Sequence, residues 1–343
     1  MLSQEVIGML CCPNCEDSRL SHEVFEQASA DDIIDGVVWC VGCRHWYPVE
    51  GRLLDFMIGA LAYDDDRTRF WTEHETQLLS LGLEAGAVVS DDAKDLQKIQ
   101  QKHFDWWADE NNQSYFEYEG SSFWRAADLI AFEPWKQEIP KRTRLLDVGC
   151  AQGRSTFKFM NCDLDIIGID VSKALIRQAI ARYQAGDFVA RAVFIAADAS
   201  RFPIRNEQLD TVLVYGVLHH LADPGAACRE ISRVLKPGGS YIGQENNETI
   251  FRKIFDLLQF IFPQWQEEAG PEATISADRF REWFRDTPVE IDSETSVFLP
   301  PHLCNMMSLA GSHRSLVFTD RIARAIPFLR NQGGVILVRG NKA

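Results

Sequence analysis

From residue 141 onward the chain alternates short, almost uninterrupted apolar runs with amphipathic stretches. No other feature limits its fold as sharply. The runs are Thr143–Val148, Asp165–Asp170, Val193–Ala197, Leu209–Tyr215 and Ser240–Glu245. Short runs without polar alternation suit strands covered on both faces. The stretches between them read as helices. Ser172 stands where it would N-cap KALIRQAIARY, and Asp223-Pro224 opens PGAACREISRVL, which Lys236-Pro237-Gly238-Gly239 stops. GGVILVRG reads as a last strand after the helical FTDRIARAIPFLR. Such alternation predicts an α/β fold with a doubly wound parallel sheet.

The string LLDVGCAQGRS follows the first strand and opens a helix. A glycine-rich approach to a helix N-terminus offers backbone N–H groups and the positive dipole end to a ligand, and Gly149 and Gly153 would let it lie close to the backbone. The turn lacks the G-K-[ST] of a Walker-type phosphate loop. It also departs from the dinucleotide G-x-G-x-x-G, because the order is Asp147-x-Gly149-x-Ala151-x-Gly153. An acid at the strand end repels pyrophosphate but can anchor a cationic ligand, directly or through water. Asp170 ends the next strand, where a carboxylate can accept from both hydroxyls of a ribose. Asp198 follows the third strand, where it could accept from an adenine amine. Any one of these acids could be a simple helix N-cap. Three in order line the crevice where open α/β sheets bind ligands.

The segments LLDVGCAQG, IIGIDVS, AADASRFPI, LDTVLVYGVLHHLADP and LKPGG occur in the order and spacing of a known family. Residues 141–245 resemble a class I S-adenosylmethionine (SAM) dependent methyltransferase. The resemblance implies a Rossmann-like sheet of seven strands and SAM as cofactor. It implies that Asp147 to Gly153 hold the methionine portion, Asp170 with Val171 the ribose, and Asp198 with Ala199 the adenine, with Tyr215 beside the cofactor. Ala151 departs from the family's usual glycine and is expected to crowd the methionine end slightly. Methyl transfer from a sulfonium mainly needs alignment, and a base only where the acceptor must lose a proton. The loop Tyr215–His220 follows the fourth strand and is expected over the methyl group. His219 or His220 is then a candidate base, with Glu245 as another. The plainer alternatives are a histidine packed within the loop and a Glu245 that is solvated or caps a helix. Many enzymes that methylate exocyclic amines carry Asn/Asp-Pro-Pro-aromatic here. YGVLHH shifts the expectation toward oxygen or carbon acceptors on small molecules, sugars or lipids.

Cys12-Pro-Asn-Cys15 and Cys40-Val-Gly-Cys43 are two C-x-x-C knuckles separated by 24 residues. Two such knuckles give tetrahedral four-sulfur coordination, which suits structural zinc. The alternative is a ribbon that keeps its cysteines without metal. Cys11 is a spare thiol, and His22 and His45 read as bystanders. The run CPNC … CVGCRHWYPVEGRLLDF, within residues 5–58, resembles the small zinc-ribbon protein that activates tRNA and translation-factor methyltransferases. In that family the ribbon supports a partner catalytic domain, so docking within one chain is expected here. The expected organisation is a zinc-ribbon domain over residues 1–60, a helical cap and linker over 61–140, and the methyltransferase domain over 141–343. The linker itself is expected at Ala62–Asp66.

The net charge of −15 is uneven, because residues 1–140 hold 10 Lys/Arg against 27 Asp/Glu. Such a surface repels a polyanion and counts against nucleic acid as a partner. No apolar run reaches the roughly 18 residues of a membrane span, so membrane contact would be peripheral. The N-terminus lacks a basic leader, and a cytoplasmic protein is expected. Leu96, Ile99, His103, Phe104 and Trp107 fall at helical spacing, as a lid over the cofactor or a plain cover on the sheet, and Tyr115, Phe116 and Tyr118 add aromatics. The stretch Thr249–Trp265 is apolar on nearly all sides and reads as buried, as a wall for a greasy acceptor, or as a membrane-surface helix. Pro300-Pro301 mark a rigid loop. These endings resemble a branch of bacterial methyltransferases of biosynthetic pathways. The leading expectation is therefore methylation of a small or lipid-like biosynthetic intermediate, at oxygen. Its rivals are an RNA methyltransferase, since an rRNA guanine methyltransferase family also carries a zinc ribbon, and a SAM-binding scaffold without catalysis.

Overall fold

The computed structural model describes residues 1–29, 31–86, 96–108, 120–249, 257–258, 260–261, 274–299 and 312–343. Most of Thr249–Trp265, the Pro300-Pro301 loop, and Tyr115, Phe116 and Tyr118 lie outside them.

Eleven strands form one sheet. They are β1 (Leu20–Ser29), β2 (Asp32–Cys40), β3 (Trp46–Glu50), β4 (Leu53–Asp55), β5 (Thr143–Val148), β6 (Leu164–Asp170), β7 (Arg191–Ala196), β8 (Leu209–Tyr215), β9 (Leu235–Asn246), β10 (Val289–Ser296) and β11 (Val335–Lys342). Their spatial order is β1-β2-β3-β4-β7-β6-β5-β8-β9-β11-β10. The last seven strands make the expected Rossmann-like sheet, parallel from β7 to β9 and closed by antiparallel β11 and β10. The order reverses between β6 and β8, on either side of β5, which opens a crevice at the strands' C-terminal ends.

The cysteine-rich region joins this sheet directly. β4 pairs in parallel with β7, matching Leu54 to Ile195 and Asp55 to Ala196. Alternate side chains of each strand enter opposite cores. Leu146, Val148, Ile195 and Val214 face one core, which also holds Leu10, Tyr47, Phe56 and Phe202. Leu145, Ile166 and Leu213 face the other.

The helices form where the sequence supplies caps. Helix α1 covers Gln4–Met9, α2 Asp64–Ser80, α3 Leu96–Trp107, α4 Ser122–Glu138, α5 Lys173–Gln184, α6 Pro224–Val234, α7 Ala277–Trp283 and α8 Ser312–Ala325. The hydroxyl of Ser172 accepts from the Leu175 N–H at 3.2 Å, and Asp223 accepts from the Ala226 N–H at 3.0 Å. Within the stretch expected as a linker, Ala62–Asp66, α2 begins at Asp64. Its three aspartates occupy the first turn, where the helix dipole favours negative charge. Asp66 also meets the Lys173 ammonium at 2.6 Å.

Candidate cofactor and catalytic site

The turn after β5 is held from beneath. Asp147 is fully buried, and its carboxylate accepts from the hydroxyls of Ser155, at 2.7 and 2.9 Å, and Thr156. It therefore braces the turn from inside rather than lining its surface. Gly149 and Gly153 take φ of +68° and +86°. Their need for glycine differs from the sequence expectation. A Cβ at Gly149 would stand 2.4 Å from Val217, and one at Gly153 would stand 2.4 Å from Phe157. The turn's own packing excludes the side chain. Ala151 has φ of +48°, so its departure from glycine is felt as backbone strain, about 1–2 kcal/mol for an L-residue. Beside it, both ends of the Gln152 amide are buried without a hydrogen-bond partner among the described residues.

Asp170 stands at the end of β6 with one oxygen accepting from the Ala151 N–H and the other from the Ser172 N–H, each at 2.9 Å. Burial pushes both Asp147 and Asp170 up from 3.8 to about 6, and Asp170 adds repulsion at Asp147. Two acids held this way favour a cationic neighbour. Asp198, past the end of β7, accepts from Ser200 at 2.6 and 2.8 Å. Val171 and Ala199 follow their acids as half-buried residues.

The fourth and fifth strands supply a different arrangement. Glu245 is 1% exposed. One of its oxygens accepts from the N–H groups of Val217 and Leu218 at 2.9 and 2.7 Å, and the other lies 2.7 Å from His219 Nδ1. Both of its oxygens are thus engaged inside the protein, one of them against His219. In the tautomer that carries its proton on Nδ1, His219 donates to Glu245 and Nε2 is its basic nitrogen. His220 packs edge-on to Phe104 at 5.4 Å and against His219 at 4.0 Å. Burial holds it well below the usual histidine range, aided by His219 and His103. Tyr215 turns away from the loop, donating to Asp128 at 2.9 Å and packing on Phe132.

Residues 146–243 match the family described as a methyltransferase domain. This part of the chain is a class I methyltransferase domain. Among similar proteins, 27-O-demethylrifamycin SV methyltransferase of Amycolatopsis mediterranei is 29% identical over 39% of this chain and 50% of its own length. An O-methyltransferase of Aspergillus nomiae is 32% identical over 32% of this chain and 52% of its own. The chain thus spans about half the length of the curated relatives it matches. A chain of the Haloferax volcanii complex containing the Trm112 methyltransferase activator is 18% identical, with a TM-score of 0.47, over 70% of this chain and 97% of its own.

Helix α3 straps the ligand end of the methyltransferase domain with residues that sequence reasoning missed. Gln97 donates to Asp198 at 3.1 Å, and Gln101 donates to the carbonyls of Leu61 and Val171 at 2.9 and 3.3 Å. Asp105 accepts from Ser172 at 2.5 Å and from Tyr63 at 2.8 Å. With Phe104 on His220, these positions recur at helical spacing on one face of α3. The only sequence signal was that spacing, which does not name a partner.

Cys12, Cys15, Cys40 and Cys43 bring their sulfurs within 4.8 Å of one another. Cys12 and Cys43 are 3.6 Å apart, and Cys15 and Cys40 3.5 Å. A tetrahedral zinc with sulfurs at about 2.3 Å needs edges of about 3.8 Å, so the four thiols fit that ion. Cys11 faces the Phe202 carbonyl at 3.9 Å instead, its thiol pushed up to about 11 by burial. His45 meets Arg67 at 3.1 Å.

Proposed function

We propose that this chain is a SAM-dependent methyltransferase that methylates a small-molecule, sugar or lipid-like biosynthetic intermediate at oxygen. The observation that carries the oxygen assignment is the His219–Glu245 pair at the ends of β8 and β9. A hydroxyl acceptor must lose a proton, and an imidazole whose Nδ1 is held by a buried carboxylate is built to take one at Nε2. The Amycolatopsis and Aspergillus relatives, by name, methylate oxygen.

The crevice suits SAM by the chemistry of its groups. Asp170 is a buried anion at the crevice, Asp147 adds negative potential from beneath the turn, and the Gln152 amide has no partner among the described residues. When bound, SAM supplies an electrophilic methyl group on a sulfonium that leaves as a neutral thioether. Asp147 keeps the glycine turn in shape, Asp170 and Asp198 take the ribose and adenine sides, and α3 excludes water above them. Among the described residues no helix is long and apolar enough to cross a membrane. The four cysteines hold a structural zinc, with every tetrahedral position filled by sulfur.

The test is transfer of label from methyl-labelled SAM into a deproteinised extract, separated into RNA, organic-soluble and water-soluble fractions. Label in a small-molecule fraction is expected, and label in RNA would overturn the acceptor class. His219→Ala is expected to lower kcat about 100- to 10,000-fold, with SAM affinity unchanged. A variant with unaltered kcat would remove the base from the mechanism.

A further inference from the structure

Helix α8 packs on the fold by its inner face alone. Leu316 and Val317 join Phe123, Ala126 and Ala127 of α4 in a small core. Asp320 is buried as well, accepting from the Val297 N–H at 2.9 Å and pairing with Arg324 at 2.8 Å. The outer face carries Arg314, Phe318, Arg321 and Ile322, spaced i, i+4, i+7 and i+8, and the turn beyond adds Phe328 and Arg330. Phe318 is 64% exposed, Ile322 49% and Phe328 77%. No acid stands among the exposed residues of this stretch.

The charge of the region runs against the rest of the chain. Residues 312–343 hold six Lys/Arg and one Asp, in a protein of net charge −15. Arg324, Arg339 and Lys342 are matched to Glu294, Glu138 and Glu207. Arg314, Arg321 and Arg330 make no ion pair among the described residues. The face also lies at the ligand end of the sheet. Leu316 shares its core with Val335, and Val335 pairs with Asn246 at the end of β9.

We propose that this outer face of α8 docks the protein on an anionic lipid bilayer. Exposed aromatic and aliphatic side chains interleaved with arginines suit the boundary between headgroups and acyl chains, where the apolar groups enter and the guanidinium groups meet phosphate. Residues 1–86, with 5 Lys/Arg against 16 Asp/Glu, carry β1–β4 at the sheet edge opposite β10 and are repelled by the same surface, so the approach is oriented with α8 toward the lipid. A second copy of the chain is the poorer occupant. An isologous contact would set arginine against arginine with no carboxylate to separate them. Docking of this kind requires no particular methyl acceptor, and it places the ligand end of the sheet near a source of lipid-like ones.

The experiment is co-sedimentation of the full-length protein, without SAM, with vesicles of neutral phosphatidylcholine or of phosphatidylcholine mixed with phosphatidylglycerol. Binding is expected only to the anionic vesicles, weakening as salt rises. Arg314→Glu with Arg321→Glu is expected to reduce it about 30-fold. Phe318→Ser with Ile322→Ser is expected to weaken it at least about tenfold while leaving the salt dependence in place. Both variants should keep the parent thermal midpoint, because the four side chains are exposed. No binding to anionic vesicles at low salt would overturn the proposal, as would equal binding to both vesicle types. Self-association abolished by Phe318→Ser would assign the face to a second copy instead. None of these readouts depends on methyl transfer, so failure here and failure of the enzymatic assignment are separable.

Discussion

Two of the contacts between the first 107 residues and the methyltransferase domain are made of different materials. At β4 and β7 the contact is main-chain pairing backed by a shared apolar core, in which Tyr47 and Phe56 sit with Ile195 and Phe202. At α3 the contacts are mostly polar side chains laid on the loops after β6 and β7. Apolar burial is lost all at once when a joint opens, whereas a hydrogen bond traded for water changes the free energy by only about 0.5–1.5 kcal/mol. The β4–β7 joint is therefore suited to carry stability. The α3 strap is suited to open and close over a ligand at modest cost.

The most severe way to break this contrast is to remove the metal site. Cys40→Ser is expected to release zinc and to lower stability by several kcal/mol, since structural zinc supplies folding energy outright. Because the ribbon shares its core with the sheet, calorimetry should show one transition moved down as a unit. A separate early transition, with the main one unmoved, would show the joint to be looser than its packing implies.

Lys173 tests the joint from within. It is 1% exposed and lies between Asp55 at the end of β4 and Asp66 in α2, at 3.1 and 2.6 Å. Lys173→Ala leaves carboxylates without their cation and should cost about 3–5 kcal/mol in denaturant unfolding. Lys173→Met, which refills the volume, should cost no less, because the stranded charges are the cause. Recovery of stability in Lys173→Met would locate the effect in packing instead.

These two regions were unequally legible in the sequence. The knuckles Cys12–Cys15 and Cys40–Cys43 announce themselves because each pair is local, and spacing alone sets which thiols meet. Six strands of the domain were legible for the same reason, since burial on both faces leaves short apolar runs, whereas the polar, half-exposed β10 gave no such run. The strap was not legible. Asp105 and Ser172 are far apart in sequence, and a polar residue on a helix gives no sign of which loop it will reach. The engagement of Glu245 by Val217, Leu218 and His219 was not legible, because it depends on how β8 and β9 lie together. The helical start at Asp64–Asp66 was not legible either, because a run of acids looks solvated until the helix dipole and Lys173 are in place.

Acidity should separate ligand binding from stability. Asp147 and Asp170, raised from 3.8 to about 6, bind protons more tightly in the folded than in the unfolded chain. Between pH 4 and 6 their contribution therefore disfavours the folded state as pH rises, with the full penalty present above about 6. A cationic ligand needs the ionised forms. SAM affinity should thus increase about tenfold from pH 5 to pH 7.5, as measured by calorimetry, while these two acids make the ligand-free protein less stable over the same range. Affinity that is flat across this interval would mean that neither acid responds to the ligand's charge.

The mildest change bears most directly on the strap. Asp105→Asn keeps the shape of the side chain but weakens the acceptor shared by Ser172 and Tyr63. The Tyr63 hydroxyl also lies 3.1 Å from the Val171 carbonyl and accepts from the Lys173 N–H at 3.2 Å, so it ties the same loop from the other side. If α3 positions the loop that carries Asp170, Asp105→Asn and Tyr63→Phe should each raise the SAM dissociation constant about three- to tenfold, the scale of one or two hydrogen bonds. The thermal midpoint of the ligand-free protein should move little, because the loop retains its main-chain contacts to β6. The double variant should show less than the sum of the two effects, since both residues act on one segment. A large fall in the midpoint with unchanged affinity would reverse the contrast and make α3 part of the stable core.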